Sequence, residues 1–128
     1  MKKTEELKVG MTNKFEKTVS EEDTAKKLAS GTIEVFSTPM MAAMMECAAK
    51  DIVQPFLPEG FSTVGVSLSI KHMAATRVGK RVWATAELVE IDRKRLVFRL
   101  DAYDEDKKIG EGTHERFIIE NEKFISKL

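Results

Sequence analysis

The stretch Ser37-Thr38-Pro39-Met40-Met41-Ala42-Ala43-Met44-Met45-Glu46-Cys47-Ala48-Ala49-Lys50-Asp51-Ile52-Val53-Gln54, closed by Pro55, decides the fold. Alanine and methionine are strong helix formers. Thr38 is a candidate cap, and Pro39 suits the first helical position, where its missing N–H costs nothing and its φ is already helical. So few residues in this run are polar that the predicted helix is apolar nearly all round, which requires other elements to wrap it.

The wrapping lies downstream. Val64, Val66, Leu68, Ile70 and His72 share one parity, with Gly65, Ser67, Ser69 and Lys71 between them, as in a half-buried strand whose first set faces the helix. Trp83 to Ile91, Arg95 to Tyr103 and Ile109 to Ile119 are three further β-rich runs, separated by the turn-like Asp92-Arg93-Lys94 and Asp104-Glu105-Asp106-Lys107-Lys108. Upstream, Met11 to Val19 alternates loosely and reads as a first strand. Ser20 then stands before Glu21, Glu22 and Asp23, a cap followed by acids, which predicts a short helix to about Ala29 ended by Gly31. The predicted fold is α+β: a curled antiparallel sheet of about five strands around a central apolar helix.

Composition sets the outer bounds. With 128 residues the chain has room for a single domain over 1–128, preceded by a lead-in over 1–10. Hydrophobic residues are 42% and charged residues 33%, which supports a packed core and excludes the composition of disorder. Basic and acidic residues number 21 each, so no net field draws the chain to nucleic acid or to an anionic membrane. One cysteine and two histidines can build neither an intrachain disulfide nor a closed structural zinc site. The opening Met1-Lys2-Lys3-Thr4-Glu5-Glu6 runs into acids instead of an apolar segment, and no run reaches the ~18 apolar residues of a membrane span. A cytoplasmic protein is expected.

Glu46 and His72 carry the chemical interest. Glu46 sits mid-helix among Met44, Met45, Cys47, Ala48 and Ala49, where an unpaired carboxylate is costly to bury. It is also spaced for an ordinary i, i+4 surface pair with Lys50. Strand parity turns His72 toward the helix, where it is either a satisfied core imidazole or a proton partner for Glu46. Thr38 is either a simple cap or a hydroxyl placed beside helix N-terminal amides able to hold an oxyanion. Eight residues of helix put Thr38 and Glu46 about 12 Å apart, so a substrate must span them or a second subunit must change the geometry. His114 falls on a mixed strand face and is expected to be structural or at an edge. Cys47 reads as an inert buried thiol, Arg93-Lys94-Arg95 as a solvated turn, and the methionines as core.

From Phe36 to Ile119 the chain resembles the hot-dog-fold thioesterases, in the branch typified by fluoroacetyl-CoA thioesterase. The carrying features are Thr38 and Glu46 on the helix, then Gly65-Val66-Ser67-Leu68-Ser69-Ile70-Lys71-His72-Met73-Ala74-Ala75-Thr76, and Gly112-Thr113-His114-Glu115-Arg116. The resemblance implies Thr38, Glu46 and His72 as catalytic residues and an acyl-CoA substrate bound near the interface of a homodimer; no metal or cofactor is expected. Phe36, Met41, Met45, Val64, Gly65 and Arg77 are expected to line the substrate site. The residues Thr32-Ile33-Glu34-Val35-Phe36-Ser37 give no match to a fluoroacetyl pocket, so the resemblance leaves the fluorinated acyl group unassigned. The expected reaction is hydrolysis of a small or medium acyl-CoA. Glu46 would be base or nucleophile with His72 as its proton partner, and Thr38 with the helix amides would polarise the carbonyl or position the attacking group. Arg77, Lys80, Arg81 and the turn Arg93 to Arg95 are candidates for the coenzyme phosphates. The competing readings are a non-catalytic acyl-CoA-binding or sensing domain and a structural dimerisation module.

Overall fold

A computed structural model describes residues 6–128; the first half of the expected lead-in, residues 1–5, lies outside the described residues. The strands are β1 (Thr12–Thr18), β2 (Phe61–His72), β3 (Arg81–Asp92), β4 (Arg95–Asp104) and β5 (Lys108–Glu120). The long helix α1 (Thr38–Val53) lies between β1 and β2, and a short helix α2 (Asn121–Ser126) follows β5. All strands pair antiparallel in one sheet of order β1-β3-β4-β5-β2. Five strands curled on one helix form the expected hot-dog arrangement.

The strands of the second half alternate as the sequence predicts. Val82, Ala84, Ala86 and Leu88 of β3 and Leu96, Phe98, Leu100 and Ala102 of β4 are buried against Met41, Met44, Met45, Ala48 and Ile52 of α1. Each large side chain so buried contributes about 1.5–3 kcal/mol. Several floor positions are small because the helix lies close: a Cβ on Gly110 would come within 2.6 Å of the Met41 sulfur. The opposite face carries cross-strand ion pairs, with Arg99 on Glu87 and Lys108 between Asp101 and Glu111. The helix is therefore packed on one side only. Ala43 and Asp51 are exposed and Glu46, Cys47 and Lys50 half-exposed, so the enclosure expected from its composition is incomplete within one chain.

Two local expectations change. The helix predicted from Ser20 to Ala29 is a single 3-10 turn over Glu21–Asp23. Its start forms as predicted, with the Asp23 carboxylate accepting from the Ser20 N–H and the Lys17 ammonium. Propagation fails because the next amides leave for another segment: Ala25 N–H donates to the Val35 carbonyl and Lys26 N–H to that of Ile33. Tertiary pairing takes the donors that a second helical turn needs.

The second change is a β-bulge in β2. Gly65 lies opposite Arg116 and Ser67 opposite Glu115, so Val66 is the extra residue, 57% exposed. The bulge shifts the face. Before it, Thr63 and Gly65 point to the helix side while Val64 lies opposite the exposed Phe117 on the outer face; after it, Leu68, Ile70 and His72 point inward. Parity counted from Val64 thus misplaces Val64 and Val66 and still places His72 correctly.

The start of α1 is fastened at three points. Ser37 is the N-cap, its Oγ accepting from the Met40 N–H at 3.2 Å, so Thr38 is the first helical residue and not the cap. Ser37 N–H donates to the Asp23 carbonyl and Phe36 N–H to the Thr76 carbonyl, both at 2.9 Å. The Thr76 hydroxyl in turn donates to the buried Asp104 carboxylate at 2.7 Å. Burial alone would raise the pKa of Asp104, but the Lys107 ammonium, the Thr76 hydroxyl and the Asp106 and Lys107 amides outweigh it and bring it to about 2.

Two outcomes follow for stability. Ser37→Ala should cost about 1 kcal/mol through the lost cap, whereas Thr38→Ala should leave the helix start intact, as read from urea midpoints. A carboxylate with a depressed folded pKa stabilises above its unfolded pKa of 3.8 and loses that contribution as pH falls toward 2. The parent should therefore lose roughly 2 kcal/mol across that window, and Asp104→Asn should be weaker at neutral pH and lack this part of the acid loss.

Candidate active site

The capping role of Ser37 frees the Thr38 hydroxyl. It lies 2.8 Å from Nδ1 of His72, which the far end of β2 delivers to the start of α1. The edge of the His72 ring meets Phe36, with centroids 6.4 Å apart and planes at 81°. Its other nitrogen, Nε2, is buried and has no hydrogen-bond partner among the described residues. A buried polar atom without a partner is uncommon in folded proteins. Burial pushes the pKa of His72 below its ordinary 6.5, partly opposed by the Ala74 backbone, so the imidazole is neutral at neutral pH. A neutral imidazole beside an accessible hydroxyl can accept its proton and turn the oxygen into a nucleophile.

Glu46 lies about 12 Å further along the helix and does not reach His72 within the chain. The expected pair is not formed because each group has another neighbour: His72 meets Thr38, and Glu46 meets Arg116. Arg116 Nη1 donates to Glu46 Oε2 at 3.2 Å. The surface pair with Lys50 is not formed either, since Lys50 turns to Asp51 at 2.9 Å.

Arg116 is only 6% exposed, and the burial of its charge is compensated by hydrogen bonds. Its Nε donates to the Thr63 hydroxyl at 2.8 Å and Nη2 to the Thr63 carbonyl at 3.0 Å. Nη1 also lies 3.1 Å from Nε2 of His114, which is buried at the same spot. Glu46 closes this cluster toward solvent, its side chain 39% exposed. Gly65 provides the space, for a Cβ there would stand 2.9 Å from Glu46 Oε2 and 3.2 Å from the His114 ring.

The sequence reading missed Arg116, Thr63 and the burial of His114. The alternation of His114, Arg116 and Ile118 against the exposed Phe117 held the signal for the first and last, and the bulge concealed Thr63.

The remaining expected positions are dispersed. Met41 and Met45 are core residues, Phe36 is a core residue that also meets the His72 ring, and Gly65 stands beside the cluster of Glu46, His114 and Arg116. Arg77 is exposed and lines, with Ile33, Val35 and Val78, a cavity of about 510 Å³ whose lining includes neither Thr38 nor His72. Cys47 lies 3.6 Å from an Asp51 oxygen, and burial together with that carboxylate pushes its thiol pKa up, which suits an inert group. In the basic turn Arg95 is taken by Glu90 and Glu115, and Arg93 by Asp92.

This geometry has relatives. Residues 19–122 match the sequence profile of the fluoroacetyl-CoA-specific thioesterases. A fluoroacetyl-CoA thioesterase from Streptantibioticus cattleyicolor is 41% identical over 95 residues, 74% of this chain and 68% of the relative. The crystal structure of a fluoroacetyl-CoA thioesterase superposes with a TM-score of 0.90 at 35% identity, covering 94% of this chain and 93% of the other. A Thermus thermophilus protein described as a thioesterase superfamily member gives 0.87 at 30% identity, covering 94% and 90%. A profile match across most of the chain and relatives at this level of identity agree: the chain belongs to the fluoroacetyl-CoA-specific thioesterase family of hot-dog-fold thioester hydrolases.

Proposed function

We propose that the chain hydrolyses the thioester of a small acyl-CoA, with Thr38 and His72 at the reacting carbon and Glu46 acting on the hydrolytic water. The observation that carries the reading is the contact of 2.8 Å between the Thr38 hydroxyl and a neutral, half-buried imidazole whose second nitrogen has no partner among the described residues. A related thioesterase has been crystallised with fluoroacetate and CoA, which supports CoA as the thiol and a short acyl group.

In this reading His72 Nδ1 takes the Thr38 proton while the hydroxyl oxygen adds to the thioester carbonyl. Amides at the start of α1 hold the oxyanion. The C–S bond then breaks, the departing sulfur recovers the proton from His72, and water releases the acid from the acylated threonine. Thr38 and Glu46 are too far apart on one helix to serve one carbon, so the reading requires a homodimer in which the facing chain supplies Glu46. The outer edge of β2, which pairs only with β5 among the described residues, is one of the two sheet edges available for that association. A CoA thioester is an intracellular metabolite, which makes the cytoplasm the working compartment of this proposal.

Hydrolysis of acetyl-, fluoroacetyl- and butyryl-CoA, followed by released thiol, tests the assignment. Thr38→Ala, His72→Ala and Glu46→Gln should each lower kcat by about 10²–10⁴-fold while folding is retained. Rates within a few-fold of the parent in both Thr38→Ala and His72→Ala would leave an acyl-CoA-binding domain as the better account. Because His72 must be unprotonated and its pKa lies below 6.5, kcat/KM should be flat at neutral pH and fall in acid. Gly65→Ala should displace the Glu46 carboxylate and reduce kcat more than it raises KM. Light scattering should give a dimer mass at micromolar concentration, and a monomer would remove the facing-chain role of Glu46.

A further inference from the structure

We propose that His114 is a positioning residue: fixed as the neutral Nδ1–H tautomer between the Ser67 carbonyl and Arg116, it aims one Arg116 proton at Glu46 and so sets where that carboxylate lies. The inference rests on the proposed role of Glu46 only in its kinetic consequence.

The tautomer follows from its neighbours. An arginine guanidinium has donors only and keeps its proton in proteins. Nε2 of His114, 3.1 Å from Arg116 Nη1, must therefore be the acceptor of that contact. The single ring proton is left on Nδ1, which donates to the Ser67 carbonyl at 2.7 Å. That carbonyl stands beside the bulge, where the ladder between β2 and β5 is interrupted.

The guanidinium has little freedom left. Thr63 holds Nε and Nη2, and Nη1 carries two protons, of which His114 accepts one and Glu46 receives the other. An imidazolium at His114 would set one N–H against another and free the guanidinium to turn. Among the described residues, the charged groups acting on the ring are Arg116, Glu46 and Glu115, while β4 presents the Phe98 ring at 6.0 Å. Burial and the Arg116 charge oppose protonation, and the Ser67 carbonyl and the two carboxylates favour it, with a net push below the ordinary value of 6.5. His114 is 1% exposed.

Two substitutions separate the functions of the two ring nitrogens. H114Q keeps an oxygen able to accept from Arg116, whereas H114N keeps a donor for the Ser67 carbonyl and loses that acceptor. With misplacement of a reacting group costing up to about 10²-fold, H114N should lose between ten- and a hundred-fold in kcat with little change in KM, and H114Q should recover most of it. Nitrogen-15 NMR of the parent at neutral pH should show His114 protonated on Nδ1 alone, a readout that needs no activity.

Equal losses in the two variants, both folded by thermal melting, would overturn the positioning role. An Nε2–H or doubly protonated ring would overturn it too, even where H114N fails to fold. Full activity in Glu46→Gln would instead sink the proposed function, leaving the tautomer measurement to decide the placement of His114.

Discussion

Helix α1 can rest on the sheet at the distance it does because the floor beneath it is made of Ala84, Ala86, Ala102 and Gly110, with Met41 and Met45 filling the gaps. Everything else hangs on that contact. The helix start is tied by the Phe36 amide to the Thr76 carbonyl in the loop after β2 and by the Ser37 amide to the Asp23 carbonyl in the turn after β1, and its third turn arrives over Gly65. A Cβ at Gly110 would displace the Met41 thioether and crowd the Lys71 carbonyl. The seat is shaped by side-chain volume, and the polar residues inherit their positions from it.

The two clusters solve different electrostatic problems. Thr38 and His72 carry no charge, so burying the imidazole costs less than burying an ion would, and that burial lowers its proton affinity. Arg116 cannot be neutral, and so it is surrounded: Thr63 contributes a hydroxyl and a carbonyl, His114 a lone pair and Glu46 a countercharge. A charged group in such a site is weak evidence of stabilisation, since desolvation offsets the attraction. What the cluster provides is a direction, because each of its bonds admits few orientations of the guanidinium plane.

Much of this was legible beforehand. The apolar run after Pro39 and the alternation from Trp83 to Tyr103 identify a central helix and a sheet, since burial on one face leaves a period in the sequence. The segment after Ser20 shows the limit of such reading. Its cap residues are sound, but Ala25 and Lys26 give their amides to Val35 and Ile33, and no local signal announces that exchange. Likewise a bulge changes parity without changing composition, so Val64 and Val66 looked inward when only Thr63 and Gly65 are. At the site, Glu46 and His72 drew attention as titratable groups in apolar surroundings. Their actual neighbours, Arg116 and Thr38, depend on which end of β2 meets which turn of α1, and that is a property of the assembled sheet.

The outer face of the sheet bears on how copies of this protein behave toward one another. With a formal net charge of zero and a pI near 6.8, no long-range repulsion keeps molecules apart at neutral pH. Arg99 with Glu87, Lys108 with Asp101 and Glu111, and Arg95 with Glu90 and Glu115 lay an alternating lattice of charge over that face. Most displaced stackings of two such lattices set like against like, and every stacking strips water from ions already paired. The arrangement of charges on that face therefore works against the stacking of copies where their total contributes nothing.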